Sequence, residues 1–431
     1  MHSKKLAQMP KISKAMYARK NYLKQLEDSE GNGLVKVITG IRRAGKSVLL
    51  SDLFHKHLLD HGVDERQIID IALDDREYAE FLNPDVFLSY VKSRIRNGER
   101  NYILIDEVQM MDDFVSVLLS LLHKPNCDIY VTGSNSRFLS TDIATEFRGR
   151  SQEIHVWPLS FSEFMENHQG SEREAWKEYI EFGGLPQLAS FKTRQQKTDY
   201  LTNLLHTVYV RDLVERNKLP NDKGLTDLIR ILASIIGSPC NPLKISKTFD
   251  SVIHQKITDD TVSKYLLYLQ ESFLIHPALR YDVKGRKYIG TETKYYFSDI
   301  GLRNSILDFR QIEENHSMEN VIYAELRRRG FMVDVGRVET REIDAAGRQV
   351  RKKLEVDFVA NQGSQRYYIQ SAYRMYDEEK IKQEKNSLKL IPDSFKKIII
   401  EEEDIVPYHD NDGFVRMGLL DFLLRPDSLG F

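Results

Sequence analysis

Cysteine is nearly missing: the chain has only Cys127 and Cys240. Two lone cysteines exclude a disulfide framework and a thiolate metal cluster, and they suit a reducing compartment. Long apolar runs are missing too. Val117-Leu118-Leu119 is typical of those present and is broken by polar residues far short of the ~20 residues a membrane helix needs. The basic opening segment, MHSKKLAQMPKISKAMY, lacks the apolar stretch of a signal peptide. A cytoplasmic protein with no membrane contact is expected. No excess of one charge sign exists either, the net charge being -2. That value neither excludes nor demands nucleic acid, because overall neutrality can hide a local basic face. Internal repeats and low-complexity linkers are absent, so the 431 residues divide into two or three ordinary cores.

What is present is a series of changes in pattern. Tyr17 to Asp28 reads as a helix ending at the turn Gly31-Asn32-Gly33. Leu34 to Thr39 is a short β-branched run, followed by a glycine-rich turn and a helical stretch, Ser47 to Leu59. Strand-like runs recur at Ile68 to Leu73, Tyr102 to Ile105, Ile129 to Thr132 and Glu153 to Val156, with helical stretches between. This alternation predicts an α/β architecture with a mostly parallel, doubly wound sheet. Ser160 to Leu219 reads as helical, interrupted at Gly183-Gly184-Leu185-Pro186. Leu225 to Ile300 reads as helices and then a β-hairpin, Tyr281 to Ile289. Beyond Arg303 the order is helix (Met318 to Arg329), strands (Phe331 to Val338, Lys353 to Val359, Arg366 to Gln370), helix (Glu378 to Leu390) and strand (Lys396 to Glu401).

Gly40-Ile41-Arg42-Arg43-Ala44-Gly45-Lys46-Ser47 fits G-x-x-x-x-G-K-[ST] between a predicted strand and helix. The glycines let the backbone curl so that its N–H groups face phosphate oxygens. Lys46 then reaches the β- and γ-phosphates, and Ser47 ligates Mg²⁺ at the helix N-terminus. The expected nucleotide cradle is Gly40, Arg42, Arg43, Ala44, Gly45, Lys46, Ser47 and Val48. The apolar strand from Asn101 ends in Asp106-Glu107. Asp106 is expected beside Ser47 in the Mg²⁺ shell, and Glu107 is expected to polarise the attacking water. The next strand runs into Gly133-Ser134-Asn135-Ser136, where Ser134 or Asn135 would face the γ-phosphate as a sensor. Arg148 and Arg150 are candidates for an arginine delivered to a neighbouring subunit's γ-phosphate. Plain solvated loop arginines would read the same way.

These motifs, with Leu104 to Gln109, Val131 to Ser136 and Gly183 to Pro186, resemble a family of prokaryotic AAA-type P-loop ATPases. The resemblance continues through Lys294 to Arg303, Met318 to Val321, Glu355 to Phe358 and Tyr368 to Ala372, and so spans nearly the whole chain. It implies an AAA+-like ATPase domain (1–159), a helical lid (160–221), a winged-helix domain (222–302) and a degenerate PD-(D/E)xK nuclease-like domain (303–431). By analogy it also implies a homo-oligomer such as a ring, with Arg148 or Arg150 acting in trans.

Ile245 to Phe249 and Ile257 to Leu269 have helix-turn-helix spacing, with the hairpin as the wing. Thr258 is a good N-cap, and Asp259 and Asp260 suit the positive end of the helix dipole. Those aspartates oppose docking in a major groove, so the basic tip Lys284-Gly285-Arg286-Lys287 is the preferred contact to DNA. Arg327 to Arg329 and Arg351 to Lys353 add basic density. In the nuclease-like segment, Asp357 fits the first metal-binding acid, and Glu325 or Glu319 the acid from the preceding helix. The E-x-K position reads Gln370-Ser371-Ala372, which removes an acid and the lysine together; Lys380 or Lys382 could replace that lysine. The combined expectation is an Mg²⁺-dependent ATPase acting on branched or duplex DNA. The rival readings are a slow ATP-gated switch with a protein partner and an ATP-gated nuclease.

Overall fold

The structure is a computed structural model and describes residues 17–133, 147, 149–220, 223–310, 312–343, 349–373 and 378–431. Strands form where β-branched apolar runs meet turns: β1 (Val35–Thr39), β2 (Ile68–Ala72), β3 (Asn101–Asp106), β4 (Cys127–Thr132) and β5 (Ser151–His155). Every adjacent pair is parallel, in the order β2-β3-β4-β1-β5. The inner strands β1, β3 and β4 are almost wholly buried, while the edge strands β2 and β5 are only partly so. A parallel sheet covered on both faces requires this. The order sets β4 between β1 and β3, so the carboxyl ends of these three lie side by side, where open α/β sheets take ligands.

One buried ion pair lies under this sheet. Lys36 on β1 is fully enclosed and bonds Asp128 on β4, which also accepts from Gly31 N at 2.9 Å and from the Tyr130 hydroxyl at 3.1 Å. Truncating Asp128 would strand the Lys36 ammonium in a site without water. Asp128→Ala is therefore expected to lower folding stability by about 3 kcal/mol, measurable by chemical denaturation.

A helical segment follows: Phe161–Met165, Glu172–Phe182, Arg194–Leu204, Arg211–Arg216 and Lys223–Ser234. Three of its helix starts are written in the sequence as capping boxes, Ser160 with Glu163, Ser171 with Glu174 and Thr193 with Gln196. Next come Pro242–Thr248 and Asp259–Glu271, the second capped by Thr258 as expected.

The largest departure from expectation is the hairpin. Its strands, β6 (Ile275–Asp282) and β7 (Lys287–Phe297), extend well beyond Tyr281 to Ile289. The remaining strands are β8 (Met332–Ile343), β9 (Gln349–Gln362), β10 (Gln365–Ala372), β11 (Lys396–Glu401), β12 (Tyr408–His409) and β13 (Val415–Gly418). β6 pairs in parallel with β8 through Arg280–Val335, Tyr281–Gly336 and Asp282–Arg337. The hairpin is thus the edge of an eight-stranded mixed sheet, ordered β12-β13-β11-β10-β9-β8-β6-β7, and not a detached wing. Local periodicity reports which face a side chain takes, and it carries no information about a pairing partner some fifty residues away.

The three-arginine run also differs from a solvated basic face. Arg328 and Arg329 both pair with Glu325 at 2.8 Å, and Arg328 also donates to Pro158 O. Arg329 lies over the Phe422 ring. These contacts use up Glu325, so Glu319 is the acid of helix Glu314–Arg328 left to face Asp357. A single apolar core runs from the helix Lys20–Asp28 through the helical segment into the eight-stranded sheet. Among the described residues no helix is long and apolar enough to cross a membrane.

Candidate nucleotide site

The glycine-rich loop leaves the carboxyl end of β1. Gly40 has φ 132°, and a Cβ there would meet Val156 O at 2.1 Å, so only glycine lets the loop turn against the chain leaving β5. Arg43 and Gly45 also hold positive φ, 67° and 97°. Successive residues of this kind aim backbone N–H groups into a concavity that suits anions. Lys46 is 5% exposed, and its Nζ donates back to Gly40 O at 2.9 Å and Ile41 O at 3.1 Å. Burial lowers its pKa to about 8 against the pull of Glu107 and Asp106.

Beside the loop, Asp106 closes β3. Thr132, at the end of β4, donates its hydroxyl to Asp106 and accepts from Glu107 N at 2.9 Å. Ser47 hydrogen-bonds Asp106 as well; burial raises the Asp106 carboxyl despite these two hydroxyls. Glu107 takes a left-handed conformation, φ 52°, and its carboxylate accepts from Gln109 Nε2. Lys46, Ser47, Asp106 and Glu107 are therefore brought together, with Thr132 holding the Asp106 carboxylate and the Glu107 backbone. Thr132 was overlooked in the sequence, although a hydroxyl ending an otherwise apolar strand was a visible signal.

The helical segment closes over the loop. The Tyr209 hydroxyl donates to Arg42 O at 2.8 Å, and the Arg42 guanidinium pairs with Asp212 at 2.8 Å. Pro186 packs against Gly45, its Cγ 3.7 Å from where a Cβ would sit. The Gly183-Gly184 backbone behind Pro186 is fixed by Asp299, just past β7. That carboxylate accepts from Gly184 N at 2.7 Å and Leu302 N at 3.0 Å. Burial pushes the Asp299 carboxyl up to about 6, and the backbone N–H groups only partly offset this. No motif marks Tyr209 or Asp212. Asp299 stands in a recognisable stretch that carried no role on its own.

Other predicted site residues separate. Asn135, Ser134 and Arg148 lie outside the described residues. Arg150 is exposed, and its carbonyl accepts from Val35 N at 3.0 Å. It therefore sits at the opposite end of β1 from Gly40, roughly 16 Å away at the rise of a strand.

Residues 32–165 match an AAA domain, and residues 173–313 match a domain of unknown function. An uncharacterized protein of Haemophilus influenzae is 31% identical over 423 residues, covering 96% of this chain and 100% of that protein. An uncharacterized protein of Methanocaldococcus jannaschii is 28% identical over 399 residues, covering 89% and 84%. Among solved structures, Aeropyrum pernix ORC1 in complex with DNA is 12% identical and covers 68% of this chain and 93% of its own, with a TM-score of 0.29, a likeness too distant to bear on function. With a P-loop against an Asp-Glu strand end in an all-parallel sheet, an AAA domain and a relative matched along its full length, this chain belongs to the family of the Haemophilus influenzae protein and carries an AAA-type P-loop domain.

Proposed function

We propose that this protein is an Mg²⁺-dependent ATPase that couples nucleotide turnover to action on branched or duplex DNA by its C-terminal sheet. The observation that carries the coupling is the run of contacts from Gly45 to Pro186, from Gly184 to Asp299, and from there into β7. A change at the phosphates that moves Pro186 is passed to the eight-stranded sheet through a hydrogen bond and not through a flexible linker.

In this reading Gly40, Arg42, Arg43, Ala44, Gly45, Lys46, Ser47 and Val48 cradle the triphosphate. Lys46 exchanges its two loop carbonyls for phosphate oxygens. Ser47 and Asp106, already in contact, would hold Mg²⁺, which neutralises charge developing on the phosphoryl oxygens. Glu107 polarises the attacking water, and Asn135 or Ser134 senses the γ-phosphate. Arg150 stands too far from its own loop to reach it, which supports action in trans and a homo-oligomer such as a ring; Arg148 remains the second candidate. Residues 160–221 serve as the lid, 222–302 as a winged helix merged with the sheet, and 303–431 as a nuclease-like unit. DNA would meet the exposed Lys284, Arg286 and Lys287 at the hairpin tip and the exposed Arg351, Lys352 and Lys353 of β9.

One observation favours a second reading. Leu243, Val252 and Leu267 are 54%, 70% and 51% exposed, in or next to the helix-turn-helix segment. Apolar side chains grouped there suit a protein partner, as in an ATP-gated switch. Glu107→Gln separates the readings. The variant is expected to retain ATP binding, lose at least about tenfold in turnover, and hold a four-way junction or duplex more tightly with ATP than without. Anisotropy titrations showing no DNA affinity at low salt, with or without ATP, would rule out the DNA reading.

A further inference from the structure

An acidic cluster, two of its three carboxylates buried, lies in the C-terminal sheet, where a nuclease of this general plan would hold its divalent ion. Its acids are Glu319 from helix Glu314–Arg328 and Glu355 and Asp357 from β9. On one strand, residues two apart share a face, which is why Glu355 and Asp357 both reach it. The position that would supply the lysine of such a site holds Ala372, which is buried. The side chains of Lys380 and Lys382 lie outside what the structure describes.

A lysine arrives instead from the other end of the sheet. Lys294, on β7, is buried, and its Nζ lies 2.8 Å from Glu319 Oε1 and 2.8 Å from Glu355 Oε1. The acids are held by the protein's own groups. Glu319 Oε1 also accepts from the Tyr296 hydroxyl at 2.5 Å, and Glu355 Oε2 pairs with Arg280 at 3.0 Å. Asp357 Oδ2 accepts from Ser371 N at 2.8 Å. Gln370, the neutral amide in place of an acid, turns to Glu384 at 2.9 Å. Among the described residues no three His, Cys, Asp or Glu side chains are placed to hold one ion. The residues present do not fit a divalent metal.

We propose that Lys294 is the resident cation of this site, its ammonium standing where a nuclease would carry Mg²⁺, so that the cluster takes no divalent ion and cuts no nucleic acid. The ammonium differs from a metal in the way that matters for chemistry. It neutralises the carboxylates and ties β7 to β9 and to the helix, but it offers no open coordination position for water or a phosphate oxygen. Burial works against its charge, yet Glu319, Asp357 and Glu355 together hold it above the usual lysine range. β7 also leads directly to Asp299, which fixes Gly184 behind the P-loop. The former metal position thereby becomes an anchor for the strand that reaches the nucleotide site. The inference does not depend on ATP hydrolysis.

The test is Mn²⁺ uptake by the full chain without nucleotide, read by loss of the free-ion electron paramagnetic resonance signal, with thermal unfolding in parallel. The wild type is expected to take up no Mn²⁺ that Asp357→Asn removes, and to leave supercoiled and branched DNA uncut in Mn²⁺. Lys294→Ala, which leaves the acids without their counter-charge, is expected to unfold at lower temperature and to regain part of the loss when Mn²⁺ is added. One Mn²⁺ bound per wild-type chain and lost in Asp357→Asn would overturn the proposal, and so would a Lys294→Ala protein whose unfolding is indifferent to Mn²⁺. If Lys294→Ala fails to fold, the wild-type and Asp357→Asn titrations decide it alone.

Discussion

Replacing Lys46 by alanine is expected to reduce ATP turnover on the order of 10²- to 10³-fold, the scale of one preorganised donor facing developing charge. The structure supplies the reason for so large an effect. Lys46 is held inside the loop by Gly40 O and Ile41 O and is almost wholly buried. There its charge interacts with phosphate more strongly than it would in solvent. The same burial predicts the effect on folding. The depressed pKa, about 8, means that the fold disfavours the charged lysine. Lys46→Ala is therefore expected to keep or raise the unfolding midpoint while losing turnover, as measured by phosphate release and thermal denaturation on the same preparation. Loss of both together would mark Lys46 as a structural residue, and unimpaired turnover would mean that the loop is not the site of hydrolysis.

The second large effect concerns Gly301 in the helix Ile300–Ile306. Helix propensity alone favours alanine over glycine by about 1 kcal/mol. Here a Cβ would lie 1.8 Å from Phe182 O and 2.2 Å from Phe182 C, and both are backbone atoms that cannot rotate away. The helix must then shift off the Gly183-Gly184 backbone, breaking the register that lets Asp299 accept from Gly184 N. Gly301→Ala is expected to destabilise the fold by about 3 kcal/mol, the upper range for overpacking. Denaturant titration measures this directly, and a stabilised variant would show that the contact is not formed. Turnover at temperatures where the variant stays folded is expected to fall as well, because Pro186 loses its support beside Gly45.

Much of the nucleotide half was legible in the sequence. Gly40, Gly45, Lys46 and Ser47 lie within eight residues, and Asp106 and Glu107 are adjacent at a strand end. The physical requirement, a tight turn between strand and helix, is local. The cap Thr258 was legible for the same reason. Helix and strand ends shifted by a few residues, as in Lys20–Asp28 for Tyr17 to Asp28, because terminal turns are fixed by what packs on them. β12, β13 and the short helix Leu419–Leu424 were missed, being too short to show a period.

The sequence by itself determined a glycine-rich P-loop, an acidic strand end beside it and an alternating α/β start. Each depends on residues near one another in the chain, whose spacing states the chemistry. Only the tertiary structure decided that the hairpin joins the eight-stranded sheet, that Glu325 is spent on Arg328 and Arg329, and that Arg150 lies at the opposite end of β1 from its own loop. It also decided that Lys294 and Asp299, five residues apart, serve two distant sites. Lys294 enters a carboxylate cluster and Asp299 holds the backbone behind the P-loop. A side chain's partner depends on where folding brings other segments, and spacing along one strand does not encode it.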